Sequence, residues 1–242
     1  MSKAWRVRPE ILREAVLALL RLTEKTGSLK AEELSEASLL TSREAISILE
    51  EFVGRGLIDK VRGGFRISPL QRTQLALEAV RLDVPPDKAC KSLSWSEFER
   101  AIRQALEFNG YEAISHLNIR VKEKRSEIDI FAIKGEIALL VDCKHWRKPL
   151  SNLETKKIVE AQNRRLKALK TRRNLEILRV KMKRKVNRKF YAIPVVVTLF
   201  EASQKIRNGI PIVPVSKLAS FLNEAPAYLY NLKRELIKGG KG

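Results

Sequence analysis

The chain has 242 residues, of which 44% are hydrophobic and 31% charged, a balance that can bury a core and excludes a disordered polyelectrolyte. Its 48 Lys and Arg against 28 Asp and Glu leave a formal net charge of +20, spread as +3 over residues 1–82, +1 over 83–163 and +16 over 164–242. One-signed charge of that density points to a polyanionic partner, because Lys and Arg on phosphates release condensed counterions. Two cysteines, Cys90 and Cys143, exclude a disulfide framework and lack metal-site spacing. The polar start MSKAWRVRPE and the want of any long apolar run lead us to expect a cytoplasmic chain with no membrane contact.

Pro9 opens an amphipathic helix over 9–26, with Ile11, Leu12, Val16, Leu19, Leu20 and Leu22 on one stripe. A second helix is expected at about 30–37. Thr41-Ser42-Arg43-Glu44 has the form of a capping box and starts a third, apolar at Ile46, Ile48, Leu49, Phe52 and Val53 and stopped by Gly54 and Gly56. Leu57–Val61 and Phe65–Ser68 read as short strands joined through Gly63-Gly64. Three helices and a hairpin over residues 9–68 resemble the winged-helix fold, in which the third helix often enters the major groove and the wing meets the backbone. Here the third helix carries Glu44, Glu50 and Glu51 against Arg43 and Arg55, whereas the wing carries Lys60, Arg62 and Arg66. Arg62 and Arg66 are therefore the phosphate candidates of this part, and a protein partner docking on it stays open. We expect a winged-helix-like domain over 1–69 and a helical connector over 70–93.

The third part, 94–242, holds the chemistry. Trp95–Asn109 has helical periodicity through Phe98, Ile102, Ala105 and Leu106 and ends at Gly110. Strands are expected over 111–121, 127–133 and 137–146, with Gly135 and Glu136 turning between the last two. A helix from Leu153 to about Lys170, strands at 190–199 and 210–215, and a helix from Lys217 to Asn223 complete it. The order α-β-β-β-α-β-β-α predicts a mixed α/β sheet flanked by helices.

Period-two alternation puts Asp142 and Lys144 on one face of their strand and Cys143 on the other. A hairpin through Gly135 brings Asp129 toward Asp142 from the neighbouring strand. Two carboxylates so placed form an oxygen-rich site suited to Mg²⁺, with Mn²⁺ as substitute, and an adjacent lysine can orient water or stabilise charge on a phosphate. Taken in order, Trp95-Ser96-Glu97-Phe98-Glu99, Gly110-Tyr111, Glu127-Ile128-Asp129 and Asp142-Cys143-Lys144 resemble the PD-(D/E)XK nuclease superfamily over residues 94–222. The nearest likeness is to Mrr-type restriction endonucleases and archaeal Holliday-junction resolvases. Ile128 stands where the motif has proline, and Asp142 fills its variable acidic position.

The resemblance implies a restriction-endonuclease-like fold and a Mg²⁺-dependent DNA endonuclease leaving a 5′-phosphate and a 3′-hydroxyl. It implies Glu99, Asp129, Asp142 and the Cys143 carbonyl as metal ligands, with Glu97 the alternative to Glu99. It makes Lys144 the catalytic lysine, completing the set Glu99, Asp129, Asp142 and Lys144. It also matches Gln162 to a glutamine near the site, which we group with the nucleic-acid contacts. The segment 164–189 holds 13 Lys or Arg against Glu176 alone and reads as a helical arm along a phosphate backbone. Arg172, Arg173, Lys183, Arg184 and Lys185 are its leading contacts. Cutting both strands of a duplex asks for two sites, hence the expectation of a homodimer. A non-catalytic DNA-binding platform and an RNA nuclease remain as alternatives.

Overall fold

Proline has no N–H to lose in the first turn of a helix, and three helices of this chain exploit that: α1 (Pro9–Leu22), α4 (Pro69–Arg81) and α5 (Pro86–Cys90). The computed structural model describes residues 7–38, 40–183 and 189–238. It divides into two units, 1–101 and 102–242, with the boundary inside α6 (Trp95–Phe108).

In the first unit α1 is followed by β1 (Ser28–Leu29), α2 (Ala31–Ser38), α3 (Ser42–Gly54), β2 (Asp59–Val61) and β3 (Gly64–Arg66). The expected box at Thr41 is present, its hydroxyl accepting from the Glu44 N–H while Glu44 answers at the Thr41 N–H. Ser68 and Gln71 form a second box at the start of α4. The three strands make an antiparallel sheet in the order β1-β3-β2. Strand β1 was not expected, because two residues carry no alternation to read. It explains Gly64, where an added Cβ would stand 2.6 Å from the Leu29 carbonyl oxygen.

Residues 70–93, expected as a helical connector, hold most of α4 and all of α5 and belong to the first unit. Arg72 on α4 is 3% exposed and donates to the Leu20 carbonyl at 2.8 Å and to Glu97 at 3.0 Å, and also to Thr23 and the Ser92 carbonyl. Those bonds bind α4, the end of α1 and the start of α6 into one body.

The second unit is built on a mixed sheet. Its elements are β4 (Glu112–Val121), β5 (Lys124–Lys134), β6 (Ile137–Lys144), α7 (Asn152–Leu169), α8 (Arg172–Lys181), β7 (Phe190–Thr198), β8 (Ile206–Arg207), β9 (Ile210–Pro214), α9 (Leu218–Tyr228) and β10 (Glu235–Ile237). The strand order is β4-β5-β6-β7-β9-β8, with β10 on β7. Strands β4, β5 and β6 are antiparallel neighbours, and β6, β7 and β9 run parallel. Parallel strands covered on both faces read as continuous apolar runs, and Ile193 to Val197 are all buried. Gly110, at φ +83°, closes α6 in the left-handed conformation that glycine adopts without strain. Among the described residues no helix is long and apolar enough to cross a membrane.

One irregularity positions the site. The β4–β5 register passes from Ser115↔Ile130 directly to Leu117↔Ile128, and His116 between them has φ +55°. Ile114 and Leu117, like Ile128 and Phe131, pack into the same core although each pair is three residues apart. The alternation therefore slips by one residue at His116 and Asp129, on both strands at once.

Candidate active site

Strand β5 pairs with β6 only as far as Ile130↔Val141, while β6 continues beside β7 through Lys144↔Thr198. Asp129 and Asp142 occupy the first register step beyond the last β5–β6 pair, where the strands part. The N–H of Cys143 does not reach a β5 carbonyl there; it donates to Asp129 Oδ2 at 2.7 Å. Asp129 thus takes the place of the missing ladder bond, held in the plane of the sheet at the point where its strand changes phase.

Asp142 is 2% exposed and Asp129 7%. Burying two like charges side by side is unfavourable unless cations or bound ligands offset them. Both oxygens of Asp142 face a cation: Lys144 Nζ lies 2.8 Å from Oδ2 and an Arg165 amine 2.9 Å from Oδ1. Burial first, then the charge of Asp142, raises the Asp129 carboxyl to about 6, against the pull of the Cys143 N–H, Lys144 and Arg165.

The structure brings together Asp129, Asp142, Lys144 and the Cys143 backbone, as expected. Cys143 itself points away and is buried, as alternation required. Glu99 is buried on the second turn of α6 at 2% exposure. Glu97 is committed elsewhere: Oε1 accepts from Arg72 and Oε2 from the Ser94 N–H at 2.7 Å, so it serves the helix cap and an ion pair. Among the described residues, no three His, Cys, Asp or Glu side chains form a group that could hold a metal by themselves. The two aspartates do fit a hard divalent cation. Their donors are all oxygen, and Mg²⁺ is commonly held by one or two carboxylates, with water and substrate phosphate completing its shell.

Gln162 corrects the sequence reading. It is fully buried, and its amide donates to the carbonyls of Leu140 on β6 and Val195 on β7, at 2.9 and 2.8 Å. A side chain spent on the sheet does not touch nucleic acid; it sets where α7 lies. Three residues on, Arg165 shares its inward face, which the sequence reading overlooked among the surrounding charges.

Helix α8 is also not a free arm. Asn174 accepts from the Arg120 N–H at 2.8 Å and donates to the Arg120 carbonyl at 2.8 Å, so it occupies the open edge of β4 as a further strand would. Leu178 is buried in the core beside it, and Lys181 is spent on the Ser115 and His116 carbonyls. Arg172 and Arg173 stand exposed on the first turn of α8, and Lys183 is exposed beyond its end. Arg184 and Lys185 lie outside the described residues. In the first unit Arg62 and Arg66 are exposed at the β2–β3 turn and on β3.

Residues 90–174 match the Mrr catalytic family, described as restriction endonuclease. A protein of Archaeoglobus fulgidus known only as uncharacterized is 30% identical over 137 residues, which is 57% of this chain and 95% of that protein. The crystal structure of a protein of unknown function aligns with 53% of this chain at 14% identity and a TM-score of 0.33. A crystal structure from Vibrio cholerae aligns with 92% at 11% identity and a TM-score of 0.39. The chain spans 65% and 54% of the lengths of these two solved structures, and likeness at that level carries no argument.

Proposed function

This chain belongs to the PD-(D/E)XK nuclease superfamily through its restriction endonuclease domain, and from that premise we propose that it is a Mg²⁺-dependent endonuclease hydrolysing phosphodiester bonds of DNA. The observation that carries the reading is the pair of buried aspartates, Asp129 and Asp142, at the parting of β5 and β6 with Lys144 on the second of them. Two like charges kept together in a core are costly to stability, and a bound cation would give a reason to keep them.

Asp129 and Asp142 would hold the ion, with the Cys143 carbonyl as a further donor. When bound, the divalent cation supplies Lewis-acid stabilisation of charge on the phosphate. Lys144 orients the attacking water and stabilises charge growing on the phosphoryl oxygens. The Cys143 N–H keeps Asp129 aimed at the site, and Gln162 keeps α7 over it.

DNA is held by Arg172, Arg173 and Lys183, with Arg184 and Lys185 following in sequence. The first unit acts as a winged-helix module: three helices and a β1-β3-β2 sheet support that reading, and Arg62 and Arg66 are its phosphate contacts. Two copies of the chain, one for each strand, complete a double-strand cut.

The test is cleavage of labelled duplex, single-stranded, flap and four-way-junction DNA and of RNA, with Mg²⁺, Mn²⁺ or EDTA. We expect metal-dependent cutting of DNA that Asp142→Ala reduces by about a thousandfold or more with little loss of DNA binding. Cutting of RNA alone overturns the substrate, and binding without cutting in every metal overturns the enzyme.

A further inference from the structure

Arg165 is the one charged side chain of α7 that reaches into the site from outside the β5–β6 hairpin. Its side chain is 17% exposed, and it bridges the gap where the strands part: 2.9 Å to Asp142 Oδ1, 3.3 Å from Nε to Ser126 Oγ on β5, and 3.4 Å to Gln162 Oε1. The bond to Asp142 is short and charge-assisted, while the other two are long and join neutral groups. Asp129, Asp142, Lys144 and Arg165 together carry no net charge.

A divalent cation between the aspartates upsets that balance, since the site would then hold four positive charges against two negative. The ion then competes with the two resident cations for the oxygens of Asp142. Lys144 is fixed two residues from Asp142 on the same strand and face. Arg165 comes from another element, and only Asp142 holds it tightly. Once released, its planar fork of donors matches the geometry of a phosphate, which a compact ammonium does not.

Resting on the nuclease reading of this site, we infer that Arg165 occupies Asp142 while the site lacks metal, is displaced by the incoming divalent cation, and then contacts the phosphate that is cut. It is a place-holder first and a substrate-contacting residue afterwards. Two effects of opposite sign follow from removing it. Metal binds more tightly without the competing guanidinium, and substrate turns over more slowly.

The experiment is calorimetric titration of the full chain with Mn²⁺ and with Mg²⁺, without DNA, on wild type, Arg165→Met, Arg165→Lys and Asp142→Ala, followed by steady-state cleavage. We expect Arg165→Met to bind the ion about ten- to a hundredfold more tightly, as the loss of one competing charge-assisted bond allows. Its kcat should fall at least tenfold even at saturating metal. Arg165→Lys, which keeps the charge and the fold should Arg165→Met not fold, should tighten metal binding less and recover part of kcat. Unchanged or weaker metal binding in both variants overturns the inference, because a fixed counter-ion does not compete. Loss of ion binding in Asp142→Ala alone, with Arg165→Met like wild type, removes this inference and leaves the nuclease reading standing. Absence of ion binding in wild type removes both.

Discussion

Each unit of this protein buries a charged cluster, and the two clusters are built on opposite principles. In the first, one cation meets one anion: Arg72 and Glu97, with side chains 4% and 5% exposed. The two outer nitrogens of the guanidinium donate to the Leu20 and Ser92 carbonyls and the Thr23 hydroxyl, and Glu97 also caps α6. The cluster is neutral, with every guanidinium nitrogen of Arg72 and both oxygens of Glu97 bonded. In the second, two carboxylates are set side by side, and the raised Asp129 records the conflict. Burial alone therefore does not mark a functional site. A buried like-charge contact that needs Lys144 and Arg165 to offset it points to one, because stability alone gives no reason to keep it.

Three substitutions test that contrast, in decreasing order of effect. Arg72→Ala leaves Glu97 charged and buried, and should cost about 3–5 kcal/mol of stability, read by urea unfolding. Cleavage per folded molecule should survive it. A loss below about 1 kcal/mol would mean that the Arg72 network is not what joins α4 to α6. Asp129→Asn should do the reverse and stabilise the metal-free protein, by on the order of 2 kcal/mol at pH 8. The sign follows from the raised carboxyl. Between its ordinary 3.8 and about 6 the folded chain binds more protons than the unfolded chain, so stability falls as pH rises through that window. Melting in EDTA at pH 4 and pH 8 should show wild type losing ground to the variant only at the higher pH; an equal gap at both would detach the cost from ionisation. Lys60→Ala removes a 3.4 Å pair with Glu50 whose side chains are 64% and 57% exposed. It should shift stability by less than about 1 kcal/mol, and a larger loss would make the surface as consequential as the two buried clusters.

Much of this was legible in the sequence. The alternation around Asp142-Cys143-Lys144 and the turn at Gly135-Glu136 foretold the hairpin, its faces and the approach of Asp129. The capping box at Thr41 foretold a helix start to the residue. Features that depend on distant partners were not legible. Strands β1, β8 and β10, at two, two and three residues, exist only because a longer strand offers an edge. Neither Arg72 nor Arg165 stood out in the sequence, because the acids they meet lie 25 and 23 residues away. A periodicity argument was available for Arg165: positions 158, 162, 165 and 169 share a helix face, and Gln162 and Leu169 on that face are buried.

The short turn joining β5 to β6 has a bearing on the order of assembly. A hairpin closed by two residues forms on the microsecond scale, whereas parallel pairing must wait for a long crossover to close. Asp129 and Asp142 therefore meet early, while still in water, where their repulsion is weak. They are sealed from solvent only when α7 and β7 dock, and Val196 comes to lie beside Asp142. The conflict thus arises late, past most of the folding barrier. Relieving it with Asp129→Asn should appear as slower unfolding rather than faster folding, seen as a shift confined to the unfolding arm of a chevron plot. On that account the two buried aspartates shorten the lifetime of the native state while leaving the speed at which it is reached almost untouched.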